Sequence, residues 1–351
     1  MTRVLLVCPG RGSYDRGSLG YLAGRTGTAK AVIDACDAWR ADRGRPTVSA
    51  LDTEPAFKTS LHVAGEHASL LTFACSVADR FDLDPARHEI VGVAGNSMGW
   101  YTALAVAGAL TLDDAVRLVD TMGSYRERNV VGGPILYPLT DEDWIPDPAL
   151  ASAVDTALTE VAASGHVAEW SIRLGGFAVL GADSEGTKRL LGALPPVQRG
   201  DRTFPVQLPL HSAFHTSLLE PTRVRAEAEL GDLAFRAPEV PLVDGRGRIH
   251  RPRSADPEEL RSYTLGHQVV RPYDFTTSIV TALHHCAPDL VVALGPGNPL
   301  GGPLARILVA DGWHGLRTRA AFDAANRETP LLASFGVAMQ RRTLRSADAA
   351  P

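Results

Sequence analysis

Ten residues constrain this chain more than any others. In Val91-Gly92-Val93-Ala94-Gly95-Asn96-Ser97-Met98-Gly99-Trp100, an apolar run breaks at G-x-S-x-G and then resumes with helical spacing. The pattern predicts a strand, a sharp turn and a helix, with Ser97 at the turn. Glycines at 95 and 99 let the backbone pass close to itself, which would hold the Ser97 hydroxyl out at the top of a sheet. A helix N-terminus carries partial positive charge, and the Met98 N–H is aimed where an oxyanion would form. The same five residues also suit a glycine-rich turn whose serine merely caps the helix, so the rest of the chain has to decide.

With 351 residues, 45% of them hydrophobic, the chain can bury the core of one large α/β domain, or of a large domain carrying a smaller one. The formal net charge of -5, with no basic face interleaved with aromatics, argues against a nucleic-acid binder. The first apolar run, Val4 to Cys8, is too short for a signal peptide or a spanning helix and stops at Pro9-Gly10. It is expected to be the first buried strand of a cytoplasmic protein with no membrane partner. Cys8, Cys36, Cys75 and Cys286 are scattered in apolar contexts without C-x-x-C spacing, so buried reduced thiols and no metal site are expected.

Cys8-Pro9-Gly10-Arg11-Gly12-Ser13 is a glycine-rich turn at the carboxyl end of that first strand, where ligand loops of open α/β sheets lie. It lacks the lysine of a phosphate loop. Apolar residues at three-and-four spacing predict helices over 29–39 and 61–81, and His88 to Ala94 reads as a strand. Between about 131 and 205 the composition shifts. A strand near 135–139, a helix over 149–163, a strand at 177–180, a helix over 185–194 and a strand at 203–208 predict a small inserted α+β unit of ferredoxin-like kind. The segment beyond Arg342 is rich in Ser, Ala and Asp and is expected to be a flexible tail over 343–351.

A serine at such a turn needs a base. Among eleven histidines, His215 stands in a turn just after the inserted unit, with His211 four residues away as its competitor. No acidic residue stands out as a third member, so a Ser-His dyad whose imidazole is held by a backbone carbonyl is expected.

Five motifs in this order, Pro9-Gly10-Arg11-Gly12-Ser13, Gly95-Asn96-Ser97-Met98-Gly99, Ala213-Phe214-His215, Gln268 in Gly266-His267-Gln268-Val269-Val270-Arg271-Pro272, and Leu294-Gly295-Pro296-Gly297, resemble those of the malonyl-CoA:acyl carrier protein transacylases. The acyltransferase domains of polyketide synthases look similar. The resemblance runs from residue 3 to about 310. It implies an α/β-hydrolase-like large domain formed by 1–130 and 206–342, a ferredoxin-like small domain at 131–205, and an active site in the cleft between them. It also implies Ser97 as the acyl-carrying nucleophile, His215 as general base and acid, the backbone N–H groups of Arg11 and Met98 as the oxyanion hole, and Gln268 as a substrate-positioning residue. No cofactor or metal is implied. Acyl-CoA and an acyl carrier protein are the expected partners of a monomer.

The chain departs from that family pattern where it matters for the substrate. Arg11 replaces a glutamine, Asn96 a histidine and Trp100 a glutamate, each expected to alter the pocket wall. Met122 stands where carboxylate-binding members place an arginine, which would pair bidentately with a malonyl carboxylate. Methionine has no donor, and an unpaired carboxylate in a desolvated pocket is costly. Phe214 matches members that disfavour a branched α-carbon. A neutral, unbranched acyl group is therefore expected, unless Arg11, Arg126 or Arg173 supplies the missing cation. A hydroxyl acceptor in a tailoring reaction, or water in an editing hydrolase, are the alternatives to a carrier thiol. The arginines at 246, 248, 251 and 253 are expected either to meet an acidic carrier or the phosphates of CoA, or to be plain surface.

Overall fold

The protein is described by a computed structural model covering residues 1–125 and 132–346. In chain order its strands are β1 (Thr2–Cys8), β2 (His88–Gly95), β3 (Gly133–Pro138), β4 (Ala168–Arg173), β5 (Phe177–Ala182), β6 (Val197–Arg199), β7 (Arg202–Phe204), β8 (Val206–Gln207), β9 (Leu242–Val243), β10 (Ile249–His250), β11 (Tyr273–Asp274), β12 (Leu290–Ala293) and β13 (Leu332–Ser334). They form a six-stranded sheet ordered β10-β9-β2-β1-β12-β13 and a five-stranded sheet ordered β11-β4-β5-β3-β8, with β6-β7 as a separate hairpin.

The larger sheet is parallel except for β10 against β9. Its central strand β1 is covered on both faces, and Val4 through Cys8 are fully buried. Such a strand must read as a continuous apolar run rather than an alternating one, as Val4-Leu5-Leu6-Val7 does. Helices Gly99–Val106 and Phe275–Cys286 pack against β1 and β2, Gly65–Asp82 packs against Gly99–Val106, and Gly27–Ala41 packs against Gly65–Asp82.

The second sheet is antiparallel within β4-β5-β3-β8, and its element order is β3, helix Pro148–Ala163, β4, β5, helix Ser184–Ala193, β8. That is the ferredoxin-like topology. Side chains alternate across β3 and β5. Ile135, Tyr137, Ala178 and Leu180 form a core with the two helices, whereas Leu136 and Val179 face the larger domain.

Four local expectations are corrected. The helix expected over 61–81 is two pieces, Thr59–His62 and Gly65–Asp82, because Ala64 takes an extended conformation and lets the chain turn in beside Arg11. Strand β4 is not announced by its sequence, since a bulge between Trp170 and Ile172 breaks its alternation. The strand expected at 203–208 is split at Pro205, which has no N–H to donate. Its second half, Val206–Gln207, pairs with β3, so the small sheet reaches past residue 205. Finally, the tail does not loosen at 343. Leu344 is buried and the Arg345 guanidinium holds the Asp82 carboxylate at 2.6 and 2.9 Å. Residues 347–351 and Arg126 lie outside the described residues.

Candidate active site

Strand β2 ends at Gly95 and the helix Gly99–Val106 begins four residues later, leaving Asn96, Ser97 and Met98 to make the turn. A methyl group on Gly95 would collide with the Gly99 carbonyl, and one on Gly99 with the carbonyl of Cys8 in β1. The glycines are thus required by close approach, and the turn is tight enough to force Ser97 into the left-handed region at φ 56°. A non-glycine residue there costs on the order of 1–3 kcal/mol and persists only where its surroundings hold it.

His215 is strained in the same way, at φ 62°, and is 1% exposed. Its Nε2 lies 2.8 Å from Ser97 Oγ and its Nδ1 lies 2.5 Å from the backbone carbonyl of Gln268. A carbonyl only accepts, so Nδ1 carries the hydrogen and Nε2 presents its lone pair to the serine hydroxyl. Burial pushes the imidazole down to about 4, with the neighbouring His267 adding to this and the Gln268 carbonyl opposing it. The ring is therefore neutral at physiological pH and able to take a proton from Oγ.

Gln268, 1% exposed, ties the pair together. Its side-chain Nε2 donates to the Ser97 carbonyl at 3.1 Å, and its Oε1 accepts from the Tyr101 hydroxyl at 2.7 Å. Tyr273 donates to the Gly95 carbonyl at 2.6 Å and fixes the other side of the turn. Neither tyrosine was singled out from sequence. Both anchor the elbow through hydrogen bonds between segments more than 160 residues apart.

The dyad opens into a cleft of about 490 Å³ between the two sheets. Its wall is largely apolar, with Met98, Met122 and Leu300 from the large domain and Leu136, Ile172 and Val179 from the small one. Arg11, Asn96, His211, Phe214 and Gln268 also line it. His211 faces the cleft without bonding Ser97, and its Nδ1 lies 2.7 Å from the Pro209 carbonyl. Among the described residues no group of three or more His, Cys, Asp or Glu could hold a metal ion, and no helix is long and apolar enough to cross a membrane.

No protein-family profile matches the chain. The malonyl CoA-acyl carrier protein transacylase of Salmonella typhimurium is 28% identical over 233 residues, which cover 66% of this chain and 71% of that enzyme. The enzyme of the same name from Escherichia coli K12 is 27% identical over 62% of this chain and 65% of its own, so the match spans about two thirds of these curated relatives. The Bacillus subtilis enzyme aligns at 23% identity over 88% of this chain and 91% of its own. An acyl carrier protein S-malonyltransferase from Vibrio cholerae superposes with a TM-score of 0.72 at 20% identity, covering 98% of this chain and all of that one. A malonyl-transacylase solved with its type II polyketide acyl carrier protein gives a TM-score of 0.71 at 22% identity, covering 98% and 99%. The chain is similar in sequence to the malonyl CoA-acyl carrier protein transacylases and shares the fold of the solved ones.

Against the transacylase pattern, the four departures fall into two groups. Trp100 does not reach the cleft, contrary to expectation. It is fully buried, donates from Nε1 to Thr264 Oγ1 at 2.9 Å and meets Tyr263 edge-on. Arg11, Asn96 and Met122 do line the cleft. Met122 is 4% exposed. Asn96 Oδ1 is buried with no hydrogen-bond partner among the described residues. The Arg11 guanidinium donates to the Leu210 carbonyl at 3.1 Å and lies where a side chain on Gly65 would otherwise sit, close to Gly123. Arg173 turns away, stacking on Trp170 and standing 3.9 Å from Asp274. Of the expected anionic-partner arginines, Arg246 is held by Asp244 at 2.6 Å and Arg248 by Glu259 at 2.5 Å.

Proposed function

We propose that this protein is a cytoplasmic, cofactor-independent acyltransferase that moves a neutral, unbranched acyl group from an acyl thioester through an acyl-Ser97 ester to the phosphopantetheine thiol of an acyl carrier protein. The observation that carries the reading is the Ser97–His215 contact, oriented by the Gln268 carbonyl, at the base of an apolar cleft. Nε2 of His215 takes the hydroxyl proton as Oγ attacks the thioester carbonyl, then returns it to the departing thiolate. The carrier thiol repeats the sequence in reverse, giving its proton to His215 and leaving as the new thioester. Backbone N–H groups of Met98, at the start of the helix, and of Arg11 are the proposed oxyanion donors. Gln268 holds the turn that carries Ser97, and Asn96 forms part of the cleft wall beside it.

The neutral acyl group follows from Met122. A carboxylate beside it would shed water and gain no donor in return. Phe214, beside His215, narrows the site near the α-carbon. One observation favours a second reading: the Arg11 guanidinium reaches the wall at Gly65 and Gly123, next to Met122. A carboxylated acyl group would then be clamped from a different position.

Intact-mass measurement across a panel of acyl-CoAs separates the two. Neutral straight-chain thioesters should leave a covalent adduct and malonyl-CoA little, and Met122→Arg should invert that order by more than tenfold in the ratio of kcat/KM, ~1.4 kcal/mol. Efficient malonyl loading by the parent, abolished in Arg11→Gln, would establish the second reading. An adduct that disappears in buffer alone would mark a hydrolase.

A further inference from the structure

A second cavity, of about 500 Å³, lies apart from the acyl cleft and shares no lining residue with it. One wall is the turn through Leu19 and Tyr21, and the other is the helix Ala338–Leu344 with the Arg345 that follows it. Among the described residues the cavity is lined by four arginines, Arg25, Arg341, Arg342 and Arg345, and by no carboxylate.

Two of these charges are balanced from behind the wall. Arg25 Nη2 holds Asp79 at 2.8 Å and its Nη1 holds Asp82, whose Oδ2 also accepts from Arg345 Nε and Nη2 at 2.9 and 2.6 Å. The other oxygen of Asp79 accepts from the Tyr21 hydroxyl and the Gly295 N–H, each at 2.8 Å. Two carboxylates thus answer two guanidiniums, and the other two guanidiniums go unanswered. Among the described residues Arg341 and Arg342 enter no ion pair and no side-chain hydrogen bond. Asp15, just before the turn, accepts from Ser18 Oγ at 2.7 Å and does not line the cavity. Arg341 is nonetheless held in place. Its guanidinium lies 4.6 Å from the centre of the Tyr21 ring, which Arg25 also approaches at 5.2 Å.

We propose that this cavity binds the pyrophosphate group of a small molecule, with Arg341 and Arg342 as its phosphate ligands. The proposal is independent of the acyl-transfer reading. A guanidinium without a carboxylate gains most from an incoming anion, and its planar fork takes two phosphate oxygens at once. Consecutive residues of a helix project about 100° apart, so these two side chains reach the cavity from different directions and suit two linked phosphates better than one. The volume falls within the roughly 300–1,000 Å³ of small-molecule sites, so a nucleoside diphosphate fits as well as inorganic pyrophosphate. The bonds of Tyr21 and Arg25 to Asp79 keep the floor of the cavity fixed, which lowers the cost of ordering it around a ligand.

Isothermal titration calorimetry of the full chain with inorganic pyrophosphate, ADP and inorganic phosphate, at constant physiological ionic strength, tests the site. The expected result is one pyrophosphate per chain, bound about tenfold or more tighter than phosphate. Arg341→Gln with Arg342→Gln should weaken it by about tenfold or more, and Arg248→Gln should not. Arg342→Gln alone, at an exposed position, should weaken it by about threefold or more. The ligand-free double variant should keep the parent's melting temperature and its rate of Ser97 loading, since neither arginine touches the cleft. ADP bound tighter than pyrophosphate would assign a nucleotide-type ester, and ADP bound no tighter would assign free pyrophosphate. A parent that binds neither overturns the proposal. So does pyrophosphate bound as weakly as phosphate, or bound equally well by the double variant. In that last case, competition with acyl-CoA for Ser97 loading would move the anion to the acyl cleft.

Discussion

His215 decides the pH behaviour of the proposed chemistry. A base works only when unprotonated, and burial of this imidazole moves its proton affinity down to about 4 from 6.5. Acylation of Ser97, measured as kcat/KM, should therefore stay flat down to about pH 5.5 and fall only below that, rather than bending at 6.5. A bend at 6.5 would mean that the ring is hydrated in solution. Ser97→Ala should abolish the covalent adduct, and His215→Ala should slow its formation by ~10²–10⁴. His211→Ala should cost little, since its Nδ1 is directed at the Pro209 carbonyl and it does not bond Ser97. If His211 proved the essential histidine and His215 dispensable, the assignment of the base would be overturned by kinetics alone. Both histidines were legible as candidates from their place in the chain. The Gln268 carbonyl that orients His215 was legible only as an unnamed backbone group, because its position depends on a contact across 53 residues.

The elbow itself was readable because everything that defines it is local. Two glycines, a strand before and a helix after lie within ten residues, and the collisions that a methyl group would meet at Gly95 and Gly99 give that pattern its physical cause. Gly99→Ala must push β1 and the helix apart, so it should lower the melting temperature and suppress acyl-enzyme formation together; overpacking of this kind costs ~1–3 kcal/mol. Gly192, in the helix Ser184–Ala193, has open space where a side chain would go. Gly192→Ala should leave activity unchanged and hold or raise the melting temperature, by about 0.4–1 kcal/mol from reduced freedom of the unfolded chain. Equal losses from both substitutions, read by calorimetry, would deny the elbow its special tightness. Elements whose cause is not local were the ones missed. Strand β4 hides behind a bulge, and β11 is only Tyr273–Asp274, a two-residue edge strand whose pairing with β4 nothing in its own composition announces.

At the scale of the whole molecule, the cleft exists because the small sheet presents a second face. Alternation along β3 and β5 puts Ile135 and Leu180 into the small domain's own core and leaves Leu136 and Val179 facing the dyad. The sequence announced an inserted unit through its element order, but not which face of it would meet the large domain, since both faces of these strands are apolar. In the proposed reaction an acyl chain on Ser97 is expected to run along that face, between Met122 on one side and Leu136 and Val179 on the other. Added bulk there should shorten the accepted chain without touching the chemistry. Val179→Phe should lower kcat/KM for long straight-chain acyl-CoAs by about tenfold or more, with acetyl loading within twofold, since each methylene excluded from an apolar pocket is worth ~1–3 kcal/mol. Loss of acetyl and long-chain loading in equal measure would show that the new ring disturbs the packing of the two domains rather than the path of the chain. A preference left unchanged would place the chain elsewhere in the cleft, against Leu174 and Leu300, where the same substitution made at Leu174 would then carry the length discrimination.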